Sequence, residues 1–140
     1  MVEIKVLLEK GIKMPTKAHK SDAGYDIYAP EAFGVAPKHS WTIDTGVHMV
    51  IPEGYVGFLK SKSGLNVKHG LTGEGVVDAG YTGSIQVKLY NDSAAPYIFA
   101  EGDKVIQIVI LPVPETELVQ VDELPETERG DRGFGSSGAR

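Results

Sequence analysis

Glycine and proline divide this sequence into short segments. The chain of 140 residues contains 17 glycines and 8 prolines. The segments between them alternate apolar and polar residues or are continuously apolar, and both patterns are typical of β-strands. Many short strands with regular turn signals predict an all-β fold, a single-domain distorted jelly roll or β-sandwich-like barrel.

The apolar pattern predicts strands at residues 2–8, 41–51, 55–60, 84–90, 104–111 and 117–121. Residues 84–90 alternate cleanly and so predict one apolar face and one polar face. Residues 104–111 carry apolar side chains toward both faces, as in a strand that is covered on both sides. A helical turn or two is predicted at residues 64–69.

The composition changes after Val121. Residues 122–140 are charged at first and then rich in Gly and Ser, with Phe134 as the lone aromatic residue. Such a segment cannot bury enough apolar surface to fold by itself. We therefore expect a folded domain at residues 1–121 and a flexible C-terminal tail at residues 122–140.

Composition also excludes several classes of function. The chain has no cysteine, which excludes disulfides, cysteine zinc sites and thiol nucleophiles. Its net charge of −5 argues against a broad nucleic-acid-binding surface, which needs clustered Lys and Arg. No stretch approaches the ~20 apolar residues of a membrane helix. We expect a soluble protein, cytoplasmic or otherwise intracellular, that binds neither nucleic acid nor a membrane.

Three segments carry residues that suit a phosphorylated ligand with a flat ring. Residues 60–64, Lys-Ser-Lys-Ser-Gly, combine cations, hydroxyls and a glycine before a predicted helix start, which suits phosphate oxygens. Residues 73–83 predict a Gly-rich hairpin that admits close backbone approach and carries Asp78 and Tyr81. The tail places Arg129 and Phe134 among glycines, as a lid would. A solvated loop and a disordered terminus are the simpler interpretations of the first and third segments.

Other polar residues carry weaker signals. Asp22 and Asp26 flank Gly24 and Tyr25 and, taken alone, indicate a turn. The histidines lack the i, i+4 spacing of a helical metal site. Structural or surface roles are therefore expected for His19, His39, His48 and His69.

Five segments resemble, in order, the motifs of the homotrimeric deoxyuridine triphosphate pyrophosphatase (dUTPase) family. They are SDAGYDI at residues 21–27, SKSGL at 61–65, GVVDAGYTG at 75–83, GDKVIQ at 102–107 and ERGDRGFGSSG at 128–138. Any one match alone would be weak. Five matches in the right order, spread over almost the whole chain, are highly specific.

The resemblance implies hydrolysis of dUTP to dUMP and pyrophosphate, which keeps uracil out of DNA and supplies dUMP for thymidylate synthesis. It implies that Asp78 is the general base for a water that attacks the α-phosphorus in line. It implies Mg²⁺ as cofactor, bound mainly by the substrate phosphates, with Asp26 holding one of its waters. It also implies a homotrimer with shared active sites.

The resemblance further implies roles in binding. Tyr81 would pack on the deoxyribose, the backbone of residues 75–78 would read the uracil edge, and Phe134 would cover the base. The substrate-binding residues that the resemblance implies are Lys62, Ser63, Gly64, Gly75, Val76, Val77, Tyr81, Gln86, Gln107, Arg129, Phe134, Gly135, Ser136 and Ser137.

The chain departs from the family's pattern at a few positions. Lys62 stands where the family usually has arginine, so a bidentate fork is replaced by a point charge. Arg132 replaces a usual glycine and Ser137 a usual threonine. Two alternatives remain: the related dCTP deaminase, whose catalytic glutamate would fall at Lys88, and a non-catalytic regulatory protein of the same fold. A regulatory protein partner is also left open.

Overall fold

The computed structural model describes residues 1–135 and 137–138. Within them the elements follow in the order β1 Lys5–Leu8, β2 Gly24–Tyr28, β3 Phe33–Val35, β4 Ser40–Asp44, β5 Val47–Val50, β6 Tyr55–Lys60, α1 Ser63–His69, β7 Leu71–Val77, β8 Gln86–Asn91, β9 Tyr97–Phe99 and β10 Lys104–Pro112. No helix of this part is long and apolar enough to cross a membrane.

The strands form a curled antiparallel arrangement. Six of them make one sheet in the order β2-β10-β6-β7-β8-β4, while β1 pairs with β5 and β3 with β9. Three pairs of neighbours in the large sheet, β2 with β10, β10 with β6, and β8 with β4, are distant in sequence, so the chain crosses between sheet layers as it does in a jelly roll. The predicted all-β, distorted jelly-roll fold is confirmed.

One core fills the space between the sheets. Its largest fully buried side chains come from seven strands and two connecting segments: Ile27, Val35, Val47, Ile51, Leu71, Ile85, Val87, Leu89, Phe99, Val105, Ile106 and Ile108. In β8 the predicted alternation is confirmed, because Val87 and Leu89 are buried whereas Gln86 and Lys88 are exposed. This alternation leaves the outer face of the large sheet free for other contacts.

The predicted strand at residues 41–51 is divided into β4 and β5. At the break Gly46 has a φ of 70°, a left-handed conformation that favours glycine. The buried Thr45 turns its hydroxyl to the carbonyl of Ile85, at 2.6 Å. The break lets one segment pair with β8 and the next with β1.

Two predictions about local structure were wrong. Asp22 and Asp26, with Gly24 and Tyr25 between them, were predicted as a turn, but residues 24–28 form β2, because β10 pairs along them and Ile27 is buried in the core. Residues 117–121, predicted as a strand, form none and are exposed throughout, because no strand in the described residues pairs with them. The division of the chain at residue 121 stays a prediction.

Candidate active site

A cleft opens where β7 ends. Asp78 follows the last residue of β7 and is exposed, and Gly80, with a φ of 88°, turns the chain back toward β8. The cleft measures about 250 Å³ and is lined by Leu59, Gly75, Val76, Val77, Asp78, Tyr81, Ile85 and Gln86. It therefore combines a carboxylate, an aromatic ring and glycine-rich backbone, as the sequence predicted.

Tyr81 is held on the rim of this cleft by its own turn. Its backbone N–H donates to the carbonyl of Asp78 at 3.2 Å, and its hydroxyl donates to the carbonyl of Ser84 at 2.8 Å. A Cβ at Gly83 would lie 2.5 Å from the tyrosine hydroxyl oxygen, so only glycine leaves room for this ring. The ring remains 46% exposed, which leaves it open to a ligand.

The wall of the cleft is the backbone of β7. A Cβ at Gly75 would lie 3.0 Å from a methyl group of Leu59, so the two strands approach closely here. Along β7, Val77 is buried, whereas Val76 is exposed and points to the opposite face of the sheet. Gln86, exposed at the start of β8, lines the cleft as well. These residues bring backbone polar groups and one amide side chain to a mostly apolar cleft.

The side chains around Asp26 form a second group of polar residues, apart from the cleft beside Asp78. Asp26 is on β2 and only 3% exposed, and its two carboxylate oxygens form ion pairs with different lysines. Lys62 Nζ bonds to Oδ1, and Lys104 Nζ lies 3.3 Å from Oδ2. A buried carboxylate requires such partners. Lys104 was not predicted as a site residue, although it lies within the GDKVIQ segment.

Gln107 and the start of α1 extend this second group. Gln107 pairs with Asp26 across β2 and β10, and its side-chain amide donates to the carbonyl of Ser61 at 3.0 Å. The predicted helix is confirmed and begins at Ser63. Since the N–H of Asn66 is the one that donates to the carbonyl of Lys62, the preceding amides of Ser63 and Gly64 have no acceptor within the helix.

The cleft beside Asp78 and the group of polar residues around Asp26 lie at opposite ends of strand β6. In the pairing of β6 with β7, Gly57 faces Val77 and Lys60 faces Glu74. Asp78 is therefore level with the start of β6, whereas Lys62 follows its end. At ~3.3 Å per residue the two lie roughly 15–20 Å apart along the strand. The predicted site residues do not form one site within a single chain.

The described side chains of the tail form hydrogen bonds with other tail residues, and none of these bonds reaches Asp78 or Asp26. Arg129 donates to the carbonyls of Arg132 at 2.8 Å and Gly133 at 2.9 Å, and Arg132 donates back to the carbonyl of Arg129 at 3.0 Å. Phe134, Gly135 and Ser137 are exposed. Ser136 lies outside the described residues.

No three His, Asp or Glu side chains of residues 1–135 and 137–138 are grouped as metal ligands. Asp26 contributes one carboxylate, and Asp78 lies at the far end of β6. A cation at either place would take most of its ligands from elsewhere.

The curled all-β fold with a cleft beside Asp78 defines the chain as a small protein of the jelly-roll class. The chain belongs to the dUTPase family, whose sequence model matches residues 10–138. This membership confirms the resemblance and favours neither the deaminase nor the non-catalytic alternative.

Individual relatives agree with this assignment. The deoxyuridine 5'-triphosphate nucleotidohydrolase of Leifsonia xyli subsp. xyli is 46% identical over 130 residues, which cover 90% of this chain and 86% of that protein. A mutant dUTPase of Staphylococcus bacteriophage 80alpha, solved with dUpNHpp, is 35% identical with a TM-score of 0.91, and 99% of each chain is covered.

A further relative is a mutant dUTPase of phage phi11 of S. aureus, whose structure reveals the coordination of a structural Mg(II) ion. It is 35% identical, with a TM-score of 0.81, over 89% of this chain and 100% of that chain.

Proposed function

We propose that this chain hydrolyses dUTP to dUMP and pyrophosphate, with Asp78 as the general base. The observation that carries the proposal is the exposed carboxylate of Asp78 in a cleft walled by the backbone of β7 and rimmed by Tyr81. The relative solved with dUpNHpp, a dUTP analogue, matches 99% of this chain and supports dUTP as the substrate.

The cleft selects uracil and deoxyribose. Peptide groups of Gly75, Val76 and Val77 hydrogen-bond the uracil edge, and the walls leave no room for the methyl group of thymine. Such readout discriminates strongly, because a mismatched base leaves buried polar groups unpaired. Tyr81 packs on the sugar where a 2′-hydroxyl would clash. Gln86 adds an amide at the cleft entrance.

Asp78 acts on water. Its carboxylate accepts a proton as the water oxygen bonds to the α-phosphorus. The bond from phosphorus to the bridging oxygen breaks, and pyrophosphate leaves with that electron pair. Phosphoryl transfer depends mainly on positioning and charge neutralisation, so one base and well-placed cations suffice.

The site is shared between subunits of a homotrimer. Lys62 lies roughly 15–20 Å from Asp78 along β6, and this separation favours a site in which the two come from different chains. On a second chain, Lys62, Ser63, Gly64 and Gln107 hold the phosphates. Closed cyclic assembly gives every site the same two halves.

Exposed apolar residues support this assembly. On the outer face of the large sheet, Phe58 pairs with Val76 and Val109, and Leu111 continues the same face. Val76 and Leu111 are exposed. Residues 117–121, which form no strand within the chain, add Leu118, Val119 and Val121. A trimer covers such surfaces, as contiguous exposed apolar patches mark interaction sites.

Mg²⁺ fits the donors of the second group. This ion usually takes one or two carboxylates, several waters and substrate phosphates rather than a complete protein cage. Asp26 supplies one carboxylate and would hold a water of the ion while Lys62 turns from Asp26 to a phosphate. When bound with the triphosphate, the ion neutralises phosphate charge.

The tail closes over the nucleotide. Arg129, Ser136 and Ser137 contact the triphosphate, while Phe134, flanked by Gly133 and Gly135, covers the uracil. The domain of residues 1–121 supplies the rest of the site, and residues 122–140 supply the lid. Exclusion of water strengthens the contact between arginine and phosphate.

The test is pyrophosphate release in the presence of Mg²⁺. We expect rapid release from dUTP and little from dCTP, dTTP or UTP at equal concentration. Asp78→Asn is the matched control, because it removes the base and retains the binding groups. Equal turnover of UTP and dUTP by the native protein would contradict the proposed selectivity.

A further inference from the structure

The turn that carries Tyr81 is tied to distant parts of the chain at two points. At its end, the Ser84 hydroxyl donates to Asp44 Oδ1 and accepts from the N–H of Gly46 at 3.0 Å. Within residues 79–83, the bonds of Tyr81 end on Asp78 and Ser84 of the same turn. The second point among the described residues is the carbonyl of Thr82, which lies 2.7 Å from Nδ1 of His48 on β5. His48 thus connects the Tyr81 turn to another sheet.

His48 is itself held from the other side. Its Nε2 lies 2.9 Å from a carboxylate oxygen of Glu9, just after β1. A backbone carbonyl and an ionised carboxylate only accept hydrogen bonds. The ring therefore satisfies both partners only when both of its nitrogens carry protons. A neutral ring has one donor, and either Thr82 or Glu9 then faces a lone pair.

The surroundings favour the doubly protonated ring. The pKa of His48 is raised above its ordinary value of 6.5, first by donation to the Thr82 carbonyl and then by donation to Glu9. The negative charges of Glu9 and Asp44 add to the effect, and desolvation opposes it. Lys5 lines the same surface cleft from β1. Both bonds are complete below pH 6.5, and one is lost as the pH rises through the raised pKa.

We propose that His48 is a positioning residue for dUTP hydrolysis: donation from Nδ1 to the Thr82 carbonyl, with Glu9 orienting the ring, holds the turn that presents Tyr81 to the substrate. This inference rests on the proposed contact between Tyr81 and the deoxyribose. Asp78 is held independently by β7, whose last residue Val77 is buried and paired with Gly57. Loss of the bond therefore loosens Tyr81 more than Asp78, so KM changes more than kcat.

Three variants distinguish a positioning role of His48 from a surface ion pair between His48 and Glu9 that has no effect on the Tyr81 turn. His48→Asn keeps an N–H donor near the position of Nδ1, does not titrate and does not reach Glu9. His48→Leu fills similar space without a donor. Glu9→Gln leaves the ring in place and removes the carboxylate that favours its cationic form. Each is compared with the native full-length protein.

The expected result is a rise in KM for dUTP of roughly 3- to 10-fold in His48→Leu at pH 6.5, as loss of one hydrogen bond predicts. The value of kcat should change less, and His48→Asn should restore KM toward the native value. Between pH 6 and 9 the native KM should rise relative to that of His48→Asn. The substrate's own ionisation is common to both proteins and cancels. In Glu9→Gln the rise should begin at lower pH.

Two further measurements do not depend on turnover. An NMR titration should show that the His48 ring has a pKa above 6.5 in native protein and a lower one in Glu9→Gln. Amide exchange at residues 80–84 should be faster in His48→Leu than in His48→Asn. Equal exchange rates in the two variants, or a native KM in His48→Leu, would overturn the proposal.

The Tyr81→Ala variant shows whether such a result contradicts only the role of His48 or also the proposed contact of Tyr81 with the deoxyribose. If Tyr81→Ala raises KM while His48→Leu does not, His48 is not a positioning residue and the role of Tyr81 stands. If neither variant raises KM, the proposed contact between Tyr81 and the sugar fails as well.

Discussion

Asp78 and Lys62 lie at opposite ends of strand β6, although both belong to segments that match the same family. The pairing of Gly57 with Val77 and of Lys60 with Glu74 fixes this arrangement. We propose that a second chain brings two such groups together at one substrate.

Mixed trimers test this relationship directly. Asp78→Asn lacks the base, and Lys62→Ala lacks a phosphate contact, so each homotrimer should be impaired. When the two variants are unfolded together and refolded, some sites combine the native Asp78 of one chain with the native Lys62 of another. We expect dUTPase activity to reappear above that of either variant. Mixing without refolding is the control. Activity that never exceeds the sum of the separate variants would argue for sites within single chains.

Asp78→Asn should lose most of its turnover while it still binds a non-hydrolysable dUTP analogue. General-base catalysis typically supplies ~10²–10⁴-fold, and kcat should fall by a factor in that range. Single-turnover kinetics and calorimetric titration with the analogue measure the two effects. Near-native turnover in this variant would assign the base to another residue.

Tyr81→Ala should raise the KM for dUTP and narrow the ratio of kcat/KM between dUTP and UTP. In the proposed complex the ring occupies the space that a 2′-hydroxyl would need, and its removal opens that space. Tyr81→Phe is the matched control, because it keeps the ring and loses only the bond to the Ser84 carbonyl. An unchanged ratio in Tyr81→Ala would remove this residue from sugar selection.

Deletion of residues 126–140 should leave a folded and equally heat-stable trimer, because the tail residues that the structure describes are exposed and lie outside the core. Turnover of dUTP should nevertheless collapse. Phe134→Ala should give a milder loss, since stacking on a base contributes ~1–3 kcal/mol. Phe134→Trp should report closure as a fluorescence change when nucleotide is added. Full activity in the truncated protein would show that the tail is an ordinary terminus with no role in dUTP hydrolysis.

Asp26→Asn should destabilise the fold by about 3 kcal/mol, because it leaves the partly buried Lys62 without its carboxylate. Lys104→Met is the control: its side chain is about half exposed, and loss of an exposed ion pair costs only about 0–1 kcal/mol. Denaturant unfolding of both variants measures the difference. Equal stabilities would mean that water replaces the carboxylate as the partner of Lys62.

Sequence patterns predicted the regular strands well. Residues 55–60 and 104–111 were identified because apolar side chains recur along them. Burial follows this recurrence in part: Val56, Leu59, Val105, Ile106 and Ile108 are buried, whereas Leu111 is exposed. Strand β7, with two glycines among its seven residues, and β2, which contains Asp26, carry composition typical of turns. They become strands because distant partners pair with them, and a local pattern does not record such partners.

Only part of the site was predictable from the sequence, because contacts between residues that are distant in the chain leave no local pattern. Asp78, Tyr81 and Gln107 follow from ordered motifs that match a family. The contact of Lys104 with Asp26 depends on the register between β2 and β10. The contact of His48 with Thr82 joins residues 34 positions apart. Neither contact leaves a signal in the spacing of residues along the chain.

In the proposed trimer, other copies of the chain cover residues 117–121, so the exposure of this segment depends on protein concentration. Until other copies arrive, Leu118, Val119 and Val121 are exposed to proteases and to the edges of unrelated sheets. Association that covers them obeys mass action. The lifetime of the protein against proteolysis should therefore lengthen as its expression level rises. Because slower degradation raises the concentration further, the abundance of the protein should reinforce itself above a threshold concentration.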